Sequence, residues 1–445
     1  MEQVEFERIA ASFAAFHQEF ASLFGRKEAQ QRSEQYLRGL LVQQTDRRNA
    51  ENISEAVDGA TPRSLQRFLT ESPWSDEPVI DQLQAYVGQL LNSSEGVFVL
   101  DETGFPKKGK KSVGVARQYC GTLGKVANCQ LGVFVAYVSE QGHALVDKRL
   151  YLPREWTDDP DRRRAAGVPE TVGYQSIAEL GLSMLHQART SGHLMGRWVT
   201  ADEAYGKVPT LRDTLDDDEW LYVLEVPCSQ PVFAQPAKTE VPAWSGRGRQ
   251  PTRLRLVDGE SGPQAVEAVA ASLAAEDWHL LTVAEGAQGP RIHLFAARRV
   301  WESREGLPGR ECWLVLRRNP DGSEPKHYLS NAPADTPLLT LAQVGAKRWP
   351  IETEFQLEKN ETGLDEYEVR SWQGWHHHIT MALLAGILLL SLQREWGEKD
   401  APGNSAANQP SAARAASATK LDSSGVVALA HRHPVAERTL QTVSC

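Results

Sequence analysis

GAKRWPIETEFQLEKN, residues 345–360, is the stretch on which the reading of the fold turns. Pro350 fixes φ and has no N–H to donate, so it suits the opening of a helix and not its interior. From Ile351 the pattern is helical. Glu352, Phe355, Gln356 and Lys359 recur at helical spacings and share one face. Arg348 lies just before that face. An acid flanked by two cations on one stripe fits a site where a carboxylate holds a metal ion while Arg and Lys hold phosphates. A surface helix with i,i+4 ion pairs satisfies the same pattern, so the rest of the chain has to choose between them.

Upstream, two apolar runs also end in acids. VFVLD (97–101) places Val97, Val99 and Asp101 on one face of a strand, and RWVTAD (197–202) ends in Asp202. Asp101, Asp202 and Glu352 form a natural set for two Mg²⁺ ions (Mn²⁺ being the alternative). Two such ions about 3.5–4 Å apart activate an attacking oxygen and stabilise the leaving one in phosphoryl transfer. Mg²⁺ takes oxygen ligands and keeps several waters, so a few carboxylates suffice. Asp101 would bridge the ions, with Asp202 and Glu352 each holding one. Glu102 and Glu203 follow their neighbours by one residue and are expected to point elsewhere. Glu354 and Glu358 lie off the Arg348–Glu352–Lys359 stripe.

The remaining chain supplies the frame. Residues 1–95 read as helical, with Phe6, Ile9, Phe13, Phe16 and Phe20 at steps of three and four. Within them, 50–72 reads as helix, a turn at Asp58-Gly59, then a helix begun by Thr61-Pro62. Such a unit can enter a major groove, and it equally satisfies plain helical packing. Strands are predicted over Cys129–Val138 and Ala144–Tyr151, antiparallel about Glu140-Gln141-Gly142, and over Trp220–Val226. A helix is expected from about Thr171 to Thr190, and a polar loop over 153–170. Pro, Gly, Gln and Arg rise over 227–310, which reads as a β-rich insertion. Strands at 311–318 and 327–331 then return to the main sheet, and a helix runs from about Trp372 to Arg394. Acids thus fall on the first strand, the fourth strand and a late helix, the order an RNase H-like fold needs to gather three distant carboxylates.

The expected class is therefore α/β. A helical N-terminal DNA-binding domain (1–95) precedes an RNase H-like catalytic domain in two parts (96–226 and 311–396). These parts are split by the insertion (227–310) and followed by an Ala/Ser/Asn/Pro-rich disordered tail (397–445).

With 445 residues, 24% of them charged, the chain has the composition of an ordinary soluble globular protein. The five cysteines form no CxxC pair, which fits a reducing cytoplasm and argues against a zinc site or disulfide framework. No basic stretch followed by an apolar one opens the sequence, so secretion is not expected. The longest apolar run, Ile379–Leu390, is short for a bilayer, so a buried core helix and no membrane role are expected. A net charge of −10 speaks to the average field and not to patches. Lys107, Lys108, Lys110 and Lys111 crowd the loop after the first acid-bearing strand, where they could meet phosphates. His376, His377 and His378 are adjacent on a helix, about 100° apart, and cannot readily converge on one ion.

These stretches together resemble the DDE transposases of bacterial insertion sequences, of the cut-and-paste branch with a Tyr-x-x-Arg-x-x-x-Glu-x-x-x-x-x-x-Lys signature. The resemblance is carried by VLDETGFPKKGKKSVGVARQYCG, LYLPREWTDDPDRRRAAGVPE, WVTADEAYG and RWPIETEFQLEKNETGLDEYEVRSWQGWHHHITMALLA, and more loosely by YLRGLL, across about residues 35–390. It implies an RNase H-like catalytic domain, a divalent metal and the triad Asp101, Asp202 and Glu352. It also implies double-stranded DNA as partner (terminal inverted repeats and target), a homodimer on paired ends, and strand cleavage followed by strand transfer from a 3′-OH. Arg348, Lys359, Tyr205 and Trp349 would join the four loop lysines in contacting DNA, in a cytoplasmic, nucleoid-associated bacterial enzyme. One departure is plain: the signature's Tyr position is Gly345, so a role for that ring, including in a hairpin intermediate, is in doubt. In similar proteins the insertion can hold a flipped base; Trp244, Trp278 and Trp301 lie there, and the sequence does not choose among them. Two other readings remain: a metal-dependent nuclease of the same fold that cuts without joining, and a catalytically silent, DNA-binding domesticated transposase.

Overall fold

The computed structural model describes residues 3–42, 47–244, 246–286 and 289–397. The tail expected to be disordered lies, from residue 398 on, outside the described residues.

The chain opens with five helices: α1 (Gln3–Ala21), α2 (Lys27–Leu41), α3 (Ala50–Ala56), α4 (Pro62–Thr70) and α5 (Asp76–Leu91). The phenylalanine period of α1 has its predicted effect, since Phe13, Phe16 and Phe20 are all buried. Thr61 and Ser64 cap α4 reciprocally, with Pro62 in its first turn, as the Thr-Pro signal predicts. Leu65, Phe68 and Leu69 of α4 face inward and share one core with the central strands and the C-terminal helix.

Next come β1 (Val97–Pro106), β2 (Ala116–Cys120), β3 (Lys125–Ser139) and β4 (Gly142–Leu150). The hairpin about residues 140–142 is antiparallel as expected. Strand β2 was not foreseen, and β1 runs to Pro106 instead of ending at Asp101. The cause is its antiparallel partner: β3 pairs with β1 along the whole length, from Val97↔Val138 to Pro106↔Cys129. The polar 153–170 loop contains two short helices, α6 (Arg154–Thr157) and α7 (Pro160–Ala166). Helix α8 (Ile177–Ser191) starts later than predicted, where Ser176 and Glu179 form a capping box.

Strand β5 (Trp198–Ala201), α9 (Glu203–Gly206), α10 (Pro209–Asp217) and β6 (Leu221–Val226) follow. The insertion holds β7 (Pro231–Phe233), β8 (Thr239–Glu240), β9 (Arg255–Leu256), β10 (Gln264–Ala265), α11 (Val266–Ala271), β11 (His279–Gly286) and β12 (Gly289–Arg304). Then come β13 (Leu307–Arg318), β14 (Lys326–Ser330), α12 (Leu338–Ala346), α13 (Trp349–Leu357), a π-helical turn at Glu358–Thr362, and α14 (Trp372–Gly397).

The main sheet has the path β10-β7-β12-β13-β14-β6-β5-β1-β3-β2, with β11 on β12 and β4 on β3. Strands β1, β5 and β6 are parallel to one another, and β3 is antiparallel to β1. The insertion does not form a separate sheet apart from the small β8–β9 pair. Its strands extend the main one through β14, and the boundary expected at 310 falls inside β13.

Helix α14 is the one described helix long and apolar enough to cross a membrane, and it is buried within the fold against α2, α4, α5 and β4. The three histidines on it are buried and spoken for separately. His376 meets Lys148 and Asp76, each at 3.2 Å. His377 stacks on Trp74 at 3.6 Å. His378 bonds Tyr36 Oη and the Gly363 carbonyl.

Candidate active site

The acids are gathered by strand register. In the parallel core, Leu100 pairs with Ala201 and Ala201 with Leu224. One residue further along each strand stand Asp101, Asp202 and Glu225. Side chains alternate, so these three belong to the sheet face opposite Leu100, Ala201 and Leu224. Strand β5 ends at Ala201, so Asp101 lies beside the open end of a neighbouring strand although β1 itself continues. The carboxyl ends of parallel strands are the usual place for a site in such sheets. Helices α12 and α13 cover this face: Gly345 sits 3.5 Å, as an ideal Cβ, from Val223, and Phe355 packs edge-on against Phe134 at 5.3 Å. Helix α8 covers the other face, where Gly181 lets Leu100 approach to 3.0 Å.

Glu352, in the first turn of α13, completes the group from above. Arg348, one turn earlier, stands among the acids. Its Nη2 donates to Glu352 Oε1 at 2.6 Å, its Nη1 is 3.8 Å from Asp101 Oδ2, and its Nε is 3.8 Å from Glu225 Oε2. The guanidinium therefore ties Glu352 to Asp101 and offsets acids instead of turning out to solvent. Those carboxylates, Glu352 foremost, hold its charge more firmly than usual despite its burial. Lys359 is also held inward: its Nζ donates to Thr103 Oγ1 at 2.7 Å and Thr122 Oγ1 at 3.0 Å, two residues along β1 from Asp101. The π-helical turn that carries Lys359 breaks the regular stripe predicted through Glu352, and Gln356 is left exposed.

The electrostatics are those of crowded acids. Burial, and then the Asp202 and Glu102 carboxylates, push Asp101 well above the ordinary carboxylate range against the pull of Arg348. Burial also raises Asp202, partly offset by Arg348 and by its own bond from the Ala204 N–H, through which it caps α9. Glu102 faces the opposite side of β1, as expected, yet burial and Asp202 push it up to about 7. Glu354 and Glu358 are buried away from the stripe, Glu354 against His143 at 3.2 Å and Glu358 against Thr362 and Gly386.

Two predicted DNA contacts are not available in this arrangement. Tyr205 is fully buried, because α9 begins immediately after β5 and turns its ring under the sheet. Its hydroxyl faces the buried Glu102 carboxylate, on the side of β1 away from Asp101. Gly206 makes this possible: an added Cβ would stand 1.9 Å from the Glu225 carbonyl oxygen. Lys107 lies 3.6 Å over the Tyr367 ring and donates to the Tyr367 carbonyl, so it packs instead of projecting. Lys108, Lys110 and Lys111 are exposed. The 153–170 segment braces their loop: Trp156 Nε1 donates to the Val115 carbonyl at 2.8 Å, and Arg162, stacked 3.8 Å over Trp156, donates to the Lys110 and Val115 carbonyls. Trp349 is 49% exposed at the rim, with Arg291 from the insertion 4.9 Å over its ring. Of the insertion tryptophans, Trp244 is half exposed, and Trp278 lies under Arg318 at 3.9 Å.

Glu225 is the residue that sequence reading missed. An acid inside the apolar run WLYVLEV is the signal that could have found it, since a charge in a central strand needs a partner. A cleft of about 1240 Å³ opens elsewhere, between α3, α4 and Lys107–Lys108. Its walls mix Arg47, Lys108 and Arg370 with Glu51, Asp365 and Glu368, so they set no single sign for a charged ligand.

The donor set suits a hard divalent cation: carboxylate oxygens in excess of the one guanidinium among them. Among the described residues no three acid, His or Cys side chains are drawn together closely enough to hold an ion, and Arg348 stands between Asp101, Glu225 and Glu352.

Comparison with known proteins supplies a family. A family model described as DDE superfamily endonuclease matches residues 19–290, a span that includes Asp101 and Asp202 and stops short of Glu352. The probable transposase for insertion sequence element IS701 of Microchaete diplosiphon is 23% identical over 339 residues, covering 75% of this chain and 76% of that protein. Among solved structures, the piggyBac transposase in a synaptic complex with hairpin DNA aligns over 88% of this chain and 74% of its own. The identity is 10% and the TM-score 0.38, a slight overall likeness.

Proposed function

Because the chain belongs to the DDE superfamily endonucleases, enzymes that generally use divalent metal ions, we propose that it is an insertion-sequence transposase. It would bind the element's terminal inverted repeats, cut DNA there and join the freed 3′ ends to target DNA. Asp101, Asp202 and Glu352 are its metal-holding carboxylates. The observation that carries this reading is the adjacency just described. Strand pairing sets Asp101 and Asp202 abreast, and Arg348 ties Glu352 to Asp101. Three antiparallel strands followed by two parallel to the first support an RNase H-like catalytic core.

Two Mg²⁺ ions bound by these acids would supply activation of an attacking oxygen and stabilisation of the leaving one. The protein's own residues position and neutralise. Asp202 is fixed by capping α9, and Asp101 by accepting from the Glu102 N–H at 2.8 Å. Arg348 offers the guanidinium best suited to a phosphate oxygen pair. Lys359 adds a second cation beside β1, and Lys108, Lys110 and Lys111 present charge to the backbone of the duplex. Trp349 gives a flat apolar surface at the rim for a base or sugar. A homodimer on paired ends would bring two such sites to one target.

The test is incubation of purified protein with Mg²⁺ and a DNA carrying the element's end. Nicked and double-cut products followed by joined products are expected. Cutting without joining would leave a nuclease, and no cutting of end-bearing DNA would contradict the proposal.

A further inference from the structure

The acid that the triad does not use is Glu225. It lies at the third position of the row Asp101–Asp202–Glu225, set by the pairs Leu100↔Ala201 and Ala201↔Leu224. It is 6% exposed, on the centre of the sheet, between β5 and β14. A carboxylate so buried is costly unless cations meet it. Two do: Lys326 Nζ, from the adjacent strand, and Arg348 Nε at 3.8 Å. Arg348 is the same guanidinium that meets Asp101 and Glu352, so Glu225 shares its cation with two of the three acids already assigned. Lys326 is 40% exposed at its side chain and is free to swing outward.

Were Glu225 only a structural partner for Lys326, an exposed edge would serve as well as the centre of the sheet. Its place abreast of Asp202 on the acid-bearing face, and the guanidinium it shares with Asp101 and Glu352, mark it as part of the cation-binding group. On the reading above, we infer that Glu225 is a fourth carboxylate of the divalent-cation centre. Arg348 and Lys326 are its partners in the absence of the ion.

The experiment is Mn²⁺ binding to the full chain without DNA, by isothermal titration calorimetry, and metal-induced thermal stabilisation, for wild type, Glu225→Gln, Lys326→Met and Asp101→Asn. Glu225→Gln should weaken Mn²⁺ by at least about tenfold, the low end for loss of a group supporting a metal site. Lys326→Met should bind Mn²⁺ as well as wild type or better, since it removes a competing cation. If Glu225→Gln binds Mn²⁺ like wild type while Asp101→Asn does not, Glu225 is no ligand and the triad reading stands. Equal losses in Glu225→Gln and Lys326→Met would also overturn the inference, showing that the ion pair merely holds the fold. If neither wild type nor any variant binds Mn²⁺, the metal-centre reading itself fails.

Discussion

Asp76→Asn tests how the helical N-terminal region is locked to the sheet. Asp76 opens α5, Lys148 lies on β4, and His376 lies on α14, so the three join three separate elements. Lys148 is fully buried and ion-paired to Asp76 Oδ2. Burial works to raise Asp76, but the Lys148 ammonium and the His376 ring together hold it far below the usual carboxylate range. Removing one partner of a buried ion pair costs about 3–5 kcal/mol, because the other charge stays buried and uncompensated. Asp76 keeps a side-chain exposure of 21%, so water can reach the site and the low end, about 3 kcal/mol, is expected. For a cooperative unit of some 150–250 residues that is roughly 6–12 °C in Tm. Urea and thermal denaturation followed by circular dichroism measure it. The double variant Asp76→Asn/Lys148→Met removes the stranded charge and should recover to within about 1 kcal/mol of wild type. A single variant within about 0.5 kcal/mol of wild type, or a double variant no better than the single one, would refute the reasoning.

Other consequences are as specific. Gly206→Ala drives a Cβ to 1.9 Å from the Glu225 carbonyl oxygen, so α9 must shift; a loss of about 1–3 kcal/mol in denaturation and a marked fall in DNA cleavage are expected. Burial lowers His377 from 6.5 to about 4, so the unfolded chain binds the extra proton first and stability falls as pH drops from about 6.5 towards 4. That ring alone is worth about 3 kcal/mol, and Tm against pH should be flatter in His377→Gln than in wild type over this window; equal slopes would count against it. Trp349→Ala, at an exposed rim position, should leave Tm unchanged and weaken DNA binding by about 1–3 kcal/mol, read by fluorescence anisotropy at fixed salt.

What the sequence made legible follows periodicity and local chemistry. The apolar runs revealed β1, which carries Asp101, and β5, which ends just before Asp202; Thr61-Pro62 placed the start of α4, and Pro350 sits in the first turn of α13. What it hid depends on contacts between distant segments. Strand β1 overruns Asp101 because β3 is there to pair with it, a partner more than twenty residues away. Tyr205 faces inward because Gly206 lets α9 lie against β6, and no local pattern separates an inward Tyr from an outward one in a four-residue helix. Lys107 is drawn onto Tyr367, and the Lys loop is braced by Trp156 and Arg162, through the same kind of long-range contact. Arg348 was expected to face phosphate; it stands among three carboxylates from three separate elements, an arrangement that no local pattern shows.

The central claim is that Asp101, Asp202 and Glu352 form one metal-dependent cutting site. The most direct test is single-turnover cleavage of end-bearing DNA with Mg²⁺ by Asp101→Asn, Asp202→Asn and Glu352→Gln, each shown by circular dichroism to be folded. The account predicts that each substitution lowers the cleavage rate by at least about 10³-fold, and that combining them costs little more than any one alone, as for residues that act as a unit. Cleavage by any one of them at a rate near wild type would contradict it.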